Sequence, residues 1–490
     1  MKVILAGYNL DNEVINDLKD GTRLTAELTP ETISAAYARI SRSPKPVNEL
    51  RREARREVDK ARQSNRTIVF AMGHSSVAEH AVFNIDVLGV SRLLVEEIEK
   101  FRLCSYTEKS QRYVLFARDY VIPEEVSQAG LAELFTKTVT AQSDFYQELY
   151  NKLRPYVFAD NKKLAADPAN KSLLEGWAKE DARYAIALAY ETQLGMTINA
   201  RNLELMLRRL AALPLTEARE FAGQLYAATK DIAPSLIRYT EPTNYDRLTR
   251  LNLRKKSDEL FGFYPRLTDK EDVRLIYATP DADIKVLSAL LFSSTNLSYI
   301  QCSCLAALMR AKDKTAFLKI ALENMQAHDA ALRELENVDL QFELIMSASC
   351  FAQLKRHRMA TILAQNYEPA LGVTIPSAVR AVGMQKKFMS IMHQTIRAYE
   401  QIKKAAPGGA SYILTNAHRR RVLMKINARE LYHIARLRAD GHAQWDIREL
   451  AEKMLIQARK AMPLTLTLAC GKDSFSDAYK NKIGHPSRPA

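Results

Sequence analysis

Five cysteines in 490 residues are an odd number, and none has metal-ligand spacing. Cys302 and Cys304 are separated by a single residue, too close for the usual zinc pair, and no matching pair follows. They read as reduced, mostly buried thiols of a cytoplasmic protein, and no metal site is expected. No run approaches the ~18 apolar residues that a membrane helix needs, so a membrane partner is not expected. The apolar start, Met1 to Tyr8, spans only a few residues and reads as a short strand rather than a signal peptide. A polybasic block is also missing; Arg419-Arg420-Arg421 is the longest arginine run. The net charge of +14 is therefore spread along the chain. Spread charge favours arginine-lined pockets for small phosphorylated ligands and disfavours nucleic acid as the partner.

What is present is globular. Apolar content of 47% and charged content of 26% exclude disorder as the default. The length is too great for one ordinary core, and two domains are expected. Helical periods run near Pro30 to Ser41, Val47 to Gln63, Leu131 to Tyr150, Asp181 to Tyr190, Asn199 to Ala211 and Leu215 to Lys230. Alternating patterns predict strands over Ala81 to Leu88, Val273 to Ala278 and Asp339 to Met346. Pro234 to Pro265 is rich in charge, Pro and Asn without a clear period, which places the boundary there. The expected division is residues 1–240, a linker 241–265, residues 266–475 and a loosely ordered polar tail 476–490.

An internal repeat underlies this division. Ser91 leads to Lys100-Phe101-Arg102, and 256 residues later Ser347 leads to Arg356-His357-Arg358. Asn199-Ala200-Arg201 is matched by Asn427-Ala428-Arg429. A repeat of this length points to a fused pseudo-dimer. Each half keeps residues that the other has lost. The first has Glu108, Ser110 and Arg112 where the second has Ala364, Asn366 and Glu368. The second has Gln353, Arg356, His357, Arg438 and His442 where the first has Glu97, Lys100, Phe101, Leu210 and Pro214.

These residues resemble a family. Ser105, Glu108, Ser110, Arg112 and Tyr113 resemble the back end of the signature of flavin-dependent thymidylate synthases, and Arg356-His357-Arg358 resembles its front end. His74-Ser75-Ser76-Val77-Ala78-Glu79-His80, Ala38-Arg39-Ile40-Ser41 and the stretch from Asn427 to Arg448 resemble three further family motifs. The resemblance covers most of the chain in two copies. It implies an α+β fold in tandem copies, with helices packed on a small mixed or antiparallel sheet. It implies an enzyme that reductively methylates dUMP to dTMP, with FAD as cofactor and with NADPH and methylenetetrahydrofolate as co-substrates. The family assembles as tetramers, so a fused chain implies a homodimer.

The resemblance also distributes roles. Arg438 and His74 would be catalytic. Ser41, Ser76, Glu79, Asn199, Arg201, Arg356, His357, Arg358, Asn427, Arg429, His433 and His442 would hold FAD. Glu108, Ser110, Arg112, Arg183, Gln353, Arg356 and Arg438 would hold dUMP. The chemistry suits these types, because guanidinium forks bind phosphate oxygens bidentately and stay charged. In an extended segment Arg356 and Arg358 would share one face and His357 the other. His442, four residues after Arg438, would share its helix face. Serine and arginine in the Glu108 to Arg112 loop would hold a phosphate while the carboxylate accepts from the nucleotide. The losses sort into one of two composite sites, leaving the other intact. Two readings stay open beside the synthase: a flavin- and folate-dependent methyltransferase of another pyrimidine or RNA base, and a non-catalytic nucleotide-binding protein.

Overall fold

Two four-stranded antiparallel sheets organise the computed structural model, which describes residues 1–21, 27–110, 119–264 and 271–484. Strands β1 (Lys2–Tyr8), β2 (Val82–Ser91), β3 (Ser105–Glu108) and β4 (Glu191–Asn199) form the first sheet in the order β1-β2-β4-β3. Strands β5 (Val273–Ala278), β6 (Asp339–Ser347), β7 (Thr361–Ala364) and β8 (Arg419–Asn427) form the second in the order β5-β6-β8-β7. The order is the same, and so are the junctions. Val82 pairs with Asn199 in one sheet and Asp339 with Asn427 in the other. In each, the central pair of strands runs directly into helices.

The alternation of the sequence explains the strands. Phe83, Ile85 and Val87 on β2 are buried, as are Leu340, Phe342 and Leu344 on β6. One face is therefore apolar and meets helices. In the first sheet that face packs on Leu203, Leu207, Phe221 and Leu225. In the second it packs on Leu431, Met454 and Leu455. Burying side chains of this size contributes roughly 1.5–3 kcal/mol each.

Side-chain caps start the helices that matter for the site. Ser91 Oγ accepts from Leu94 N at 3.0 Å and opens Arg92–Ile98; Ser347 Oγ accepts from Cys350 N at 3.0 Å and opens Ala348–Leu354. Asn199 Oδ1 accepts from Asn202 N at 3.0 Å and opens Ala200–Ala211; Asn427 Oδ1 accepts from Glu430 N at 2.8 Å and opens Ala428–Arg438. Serine and asparagine satisfy amides that the first helical turn leaves without partners.

The chain divides into two compact units, Met1–Arg266 with Lys386–Leu414, and Leu267–Gln385 with Thr415–Ala490. Within the first, Phe388 meets Phe145 with ring centroids 6.0 Å apart, and Gln142 Nε2 donates to Thr395 Oγ1 at 2.8 Å.

Several expectations need correction. Asp181 to Tyr190 is not a helix: Lys171–Ala182 ends there, and Leu188 N and Ala189 N donate instead to Leu414 O and Tyr412 O. The stretch without a clear period holds the 18-residue helix Asn244–Phe261, started by a capping box of Thr243 and Asp246. The polar tail holds the helix Phe475–Lys482, with Phe475 and Tyr479 in the second unit's core. Among the described residues, no helix is long and apolar enough to cross a membrane.

Candidate active site

The Arg-His-Arg segment is a tight turn rather than an extended stretch. His357 N donates to Leu354 O at 3.0 Å, and Ala360 N donates to His357 O at 3.2 Å. The division of faces nevertheless holds. Arg356, Arg358 and Met359 are exposed, and His357 is 3% exposed.

His357 lies in the middle of a polar chain. Its Nδ1 is 3.2 Å from Glu430 Oε1, and its Nε2 is 3.0 Å from Arg438 Nε. Arg438 also donates to Gln353 O at 3.2 Å and Gln353 Oε1 at 3.4 Å. Gln353 Nε2 in turn donates to Gln444 Oε1 at 3.3 Å. Arginine can only donate, so Nε2 must carry the lone pair and Nδ1 the proton. Burial pushes the His357 pKa down, Glu430 opposes this, and the Arg438 charge lowers it further. The ring is a neutral link between a carboxylate and a guanidinium.

A cavity of about 290 Å³ opens beside this chain, lined among others by Met359, Asn427, Arg429, Glu430, His433 and Arg436. Helical spacing puts Arg429, His433 and Arg436 on one face. Arg429 donates to Ala331 O at 2.7 Å and pairs with Glu336 at 3.0 Å. The His433 ring meets His357 edge-on at 5.6 Å. His442 is elsewhere. The helix ends at Arg438, and His442 sits in the following turn with its N donating to Asp440 Oδ1 at 2.9 Å. Its side chain is 91% exposed, so it does not share the Arg438 face.

The first unit replaces this polar chain throughout. Phe101 takes the place of His357 in an equivalent turn, with Phe101 N donating to Ile98 O at 3.4 Å. Leu210, at the place of Arg438, is 2% exposed and belongs to the core. Asn202 stands for Glu430 and bonds its own helix cap, Asn199, at 2.8 Å. The reverse exchange occurs at the edge strands. On β3, Glu108 pairs with Arg92, and both side chains are nearly buried. Their counterparts are Ala364 on β7 and Ala348 after β6. Burial works against the Arg92 charge, but Glu108, Glu96 and Glu99 outweigh it and its pKa rises. The Glu108 carboxylate expected to face a nucleotide is thus held by Arg92.

The remaining expected residues are scattered. His74 and Ser76 are exposed around the short helical turn Ser75–His80. Glu79 pairs with Arg201 at 2.5 Å, joining two of the expected residues. Ser41 is exposed after the helix Glu31–Arg39, and Ser110 is half-buried. Arg183, expected to hold dUMP, is 7% exposed. Arg112 lies outside the described residues. Sequence reasoning missed Glu430, Arg92 and Gln444. For the first two a signal existed: aligning the repeats shows Arg92 and Glu108 replaced together by alanine, and Glu430 three residues after a helix-capping asparagine.

The sequence model of the family described as thymidylate synthase complementing protein matches residues 23–235 and again 274–464. A flavin-dependent thymidylate synthase of Clostridium tetani is 30% identical over 44% of this chain and 83% of its own length. A UPF0159 protein of Chlamydia pneumoniae is 24% identical over 83% of this chain and 80% of its own. A UPF0159 protein of Thermoplasma acidophilum is 23% identical over 88% of this chain and 93% of its own.

Proposed function

Because the chain belongs to the thymidylate synthase complementing protein family, we propose that it is a flavin-dependent thymidylate synthase that methylates dUMP to dTMP. Methylenetetrahydrofolate would supply the carbon and NADPH the hydride. The chain would be two tandem copies of one family unit, a reading supported by the shared strand order and the paired caps. The observation that carries the proposal is the chain Glu430–His357–Arg438–Gln353. It holds Arg438 through His357 and Gln353, and the resemblance implies that this arginine faces the pyrimidine.

The residues suit a flavin with its pyrophosphate. Within the cavity Glu336 and Glu430 offset Arg429 and Arg436, so the net positive charge comes from the exposed Arg356 and Arg358 next to Met359. Those two forks would hold phosphate oxygens. Asn427, Arg429 and His433 would line the remainder; the resemblance also gives Ser41, Ser76, Glu79, Asn199 and Arg201 a flavin-holding role and His74 a catalytic one. When bound, the flavin supplies the redox chemistry. Ser110, Arg112 and Arg183 would hold the nucleotide phosphate, with Glu108 shaping the loop through Arg92. Arg438, a fixed cation held by His357 and Gln353, would stabilise negative charge developing on the ring. His357 would take no proton, since its lone pair is engaged by Arg438.

Chromatography of the products decides the reading. Purified protein given dUMP, methylenetetrahydrofolate, FAD and NADPH should form dTMP, and Arg438→Ala should lose most of that turnover. Absence of dTMP with retained flavin would turn attention to another pyrimidine as methyl acceptor.

A further inference from the structure

Four observations converge on a residue to which nothing so far gives a role beyond contact. Glu430 is 7% exposed and faces His357. Its backbone N–H is tied to the Asn427 cap at 2.8 Å, which fixes the first helical turn and the direction in which the carboxylate leaves it. His357 is clamped in turn between Glu430 and Arg438. And in the first unit the glutamate, the histidine and the arginine are all gone together, replaced by Asn202, Phe101 and Leu210.

A histidine ring nitrogen is set as donor or acceptor by what the other nitrogen bonds. Arg438 Nε–H can be accepted by Nε2 only while Nε2 is unprotonated. Without an acceptor at Nδ1, the ring is free to carry its proton on Nε2. Two N–H groups would then point at each other, and Arg438 would lose one of its three anchors. We propose that Glu430 is a positioning residue: by accepting from Nδ1–H it locks His357 in the tautomer that holds the Arg438 guanidinium toward the bound pyrimidine. The first part concerns this chain's own hydrogen bonds; the last clause rests on the proposed synthase reading.

The two parts are tested separately. Nitrogen-15 NMR of the histidine rings, with His357→Gln to assign the signal, reads the tautomer directly in the protein without substrate. At neutral pH His357 is expected as Nδ1–H with Nε2 unprotonated, both in the wild type and in Glu430→Gln, whose amide oxygen still accepts. Glu430→Ala should shift the ring toward Nε2–H. Calorimetric titration with dUMP reads the consequence. Glu430→Ala should weaken binding about tenfold, the loss of one hydrogen bond to a charged group, while Glu430→Gln stays within about threefold. A wild-type His357 found as Nε2–H or as imidazolium would overturn the tautomer lock. Equal dUMP affinity in the alanine variant would overturn the positioning role. Wild-type protein with the expected tautomer but no dUMP binding would instead sink the synthase reading and leave the lock supported.

Discussion

His418 shows how one buried side chain sets the acid limit of the fold. It is fully buried, its Nδ1 accepts from Thr415 N at 3.0 Å, and burial pushes its pKa down to about 4. Its folded pKa lies below its unfolded one, so the unfolded chain takes up the proton first as pH falls. Stability should therefore drop between about pH 6.5 and 4, by about 3 kcal/mol in full. His357, also depressed, acts in the same direction. Urea titrations across that range check it; His418→Tyr, the residue at the equivalent place in the first unit, should flatten the slope. The Arg92–Glu108 pair gives a second residue-scale prediction. Removing either partner takes a charge-assisted contact from a nearly buried pair and should cost about 3–5 kcal/mol. Arg92→Ala with Glu108→Ala, which reproduces Ala348 and Ala364, should cost clearly less than the sum of the single changes in a double-mutant cycle. At this scale the sequence made the expected site residues legible by type, but not their bonds. Glu108 pairs with Arg92, sixteen positions away on another element, and no local pattern marks such a pair.

At the scale of elements, strands and caps were the legible part. Alternation located β2 and β6 within a few residues because each buries one face. Asn199 and Asn427 stood out as repeated features, and their shared job is to start helices. Asn199→Ala should cost about 1 kcal/mol through the lost cap. Asn427→Ala should cost about as much and also weaken ligand binding, since it sets the turn that carries Glu430; parallel urea and dUMP titrations separate the two. What failed did so for identifiable reasons. The apolar run through Ile186 and Tyr190 has a helical look, yet its amides are claimed by Tyr412 and Leu414, a tertiary bond invisible to local pattern. The helix Asn244–Phe261 buries no apolar residue, so it lacks the one-sided apolar stripe that periodicity detects, although its capping box was readable. His442 was placed by counting four residues from Arg438, but the helix stops at Arg438 and the count no longer measures a face.

Across the whole molecule, the two halves differ in opposite directions. The second unit keeps the polar chain around His357, and the first has Phe101 and Leu210 there. The first keeps Glu108 and Arg112, and the second has Ala364 and Glu368. A homodimer is the state that the resemblance implies. Mixing an Arg112→Ala chain with an Arg358→Ala chain should restore part of the turnover that each lacks alone; no recovery would mean that each site draws on one chain only. The repeat itself was visible in the sequence; what it could not convey was that the exchanges replace a buried polar network by an apolar one on the same strand order. The most direct test is the flavin content of the purified protein, read as absorbance in the flavin band against protein concentration after saturation with FAD. The account predicts about one tightly held flavin per chain; two per chain would contradict it.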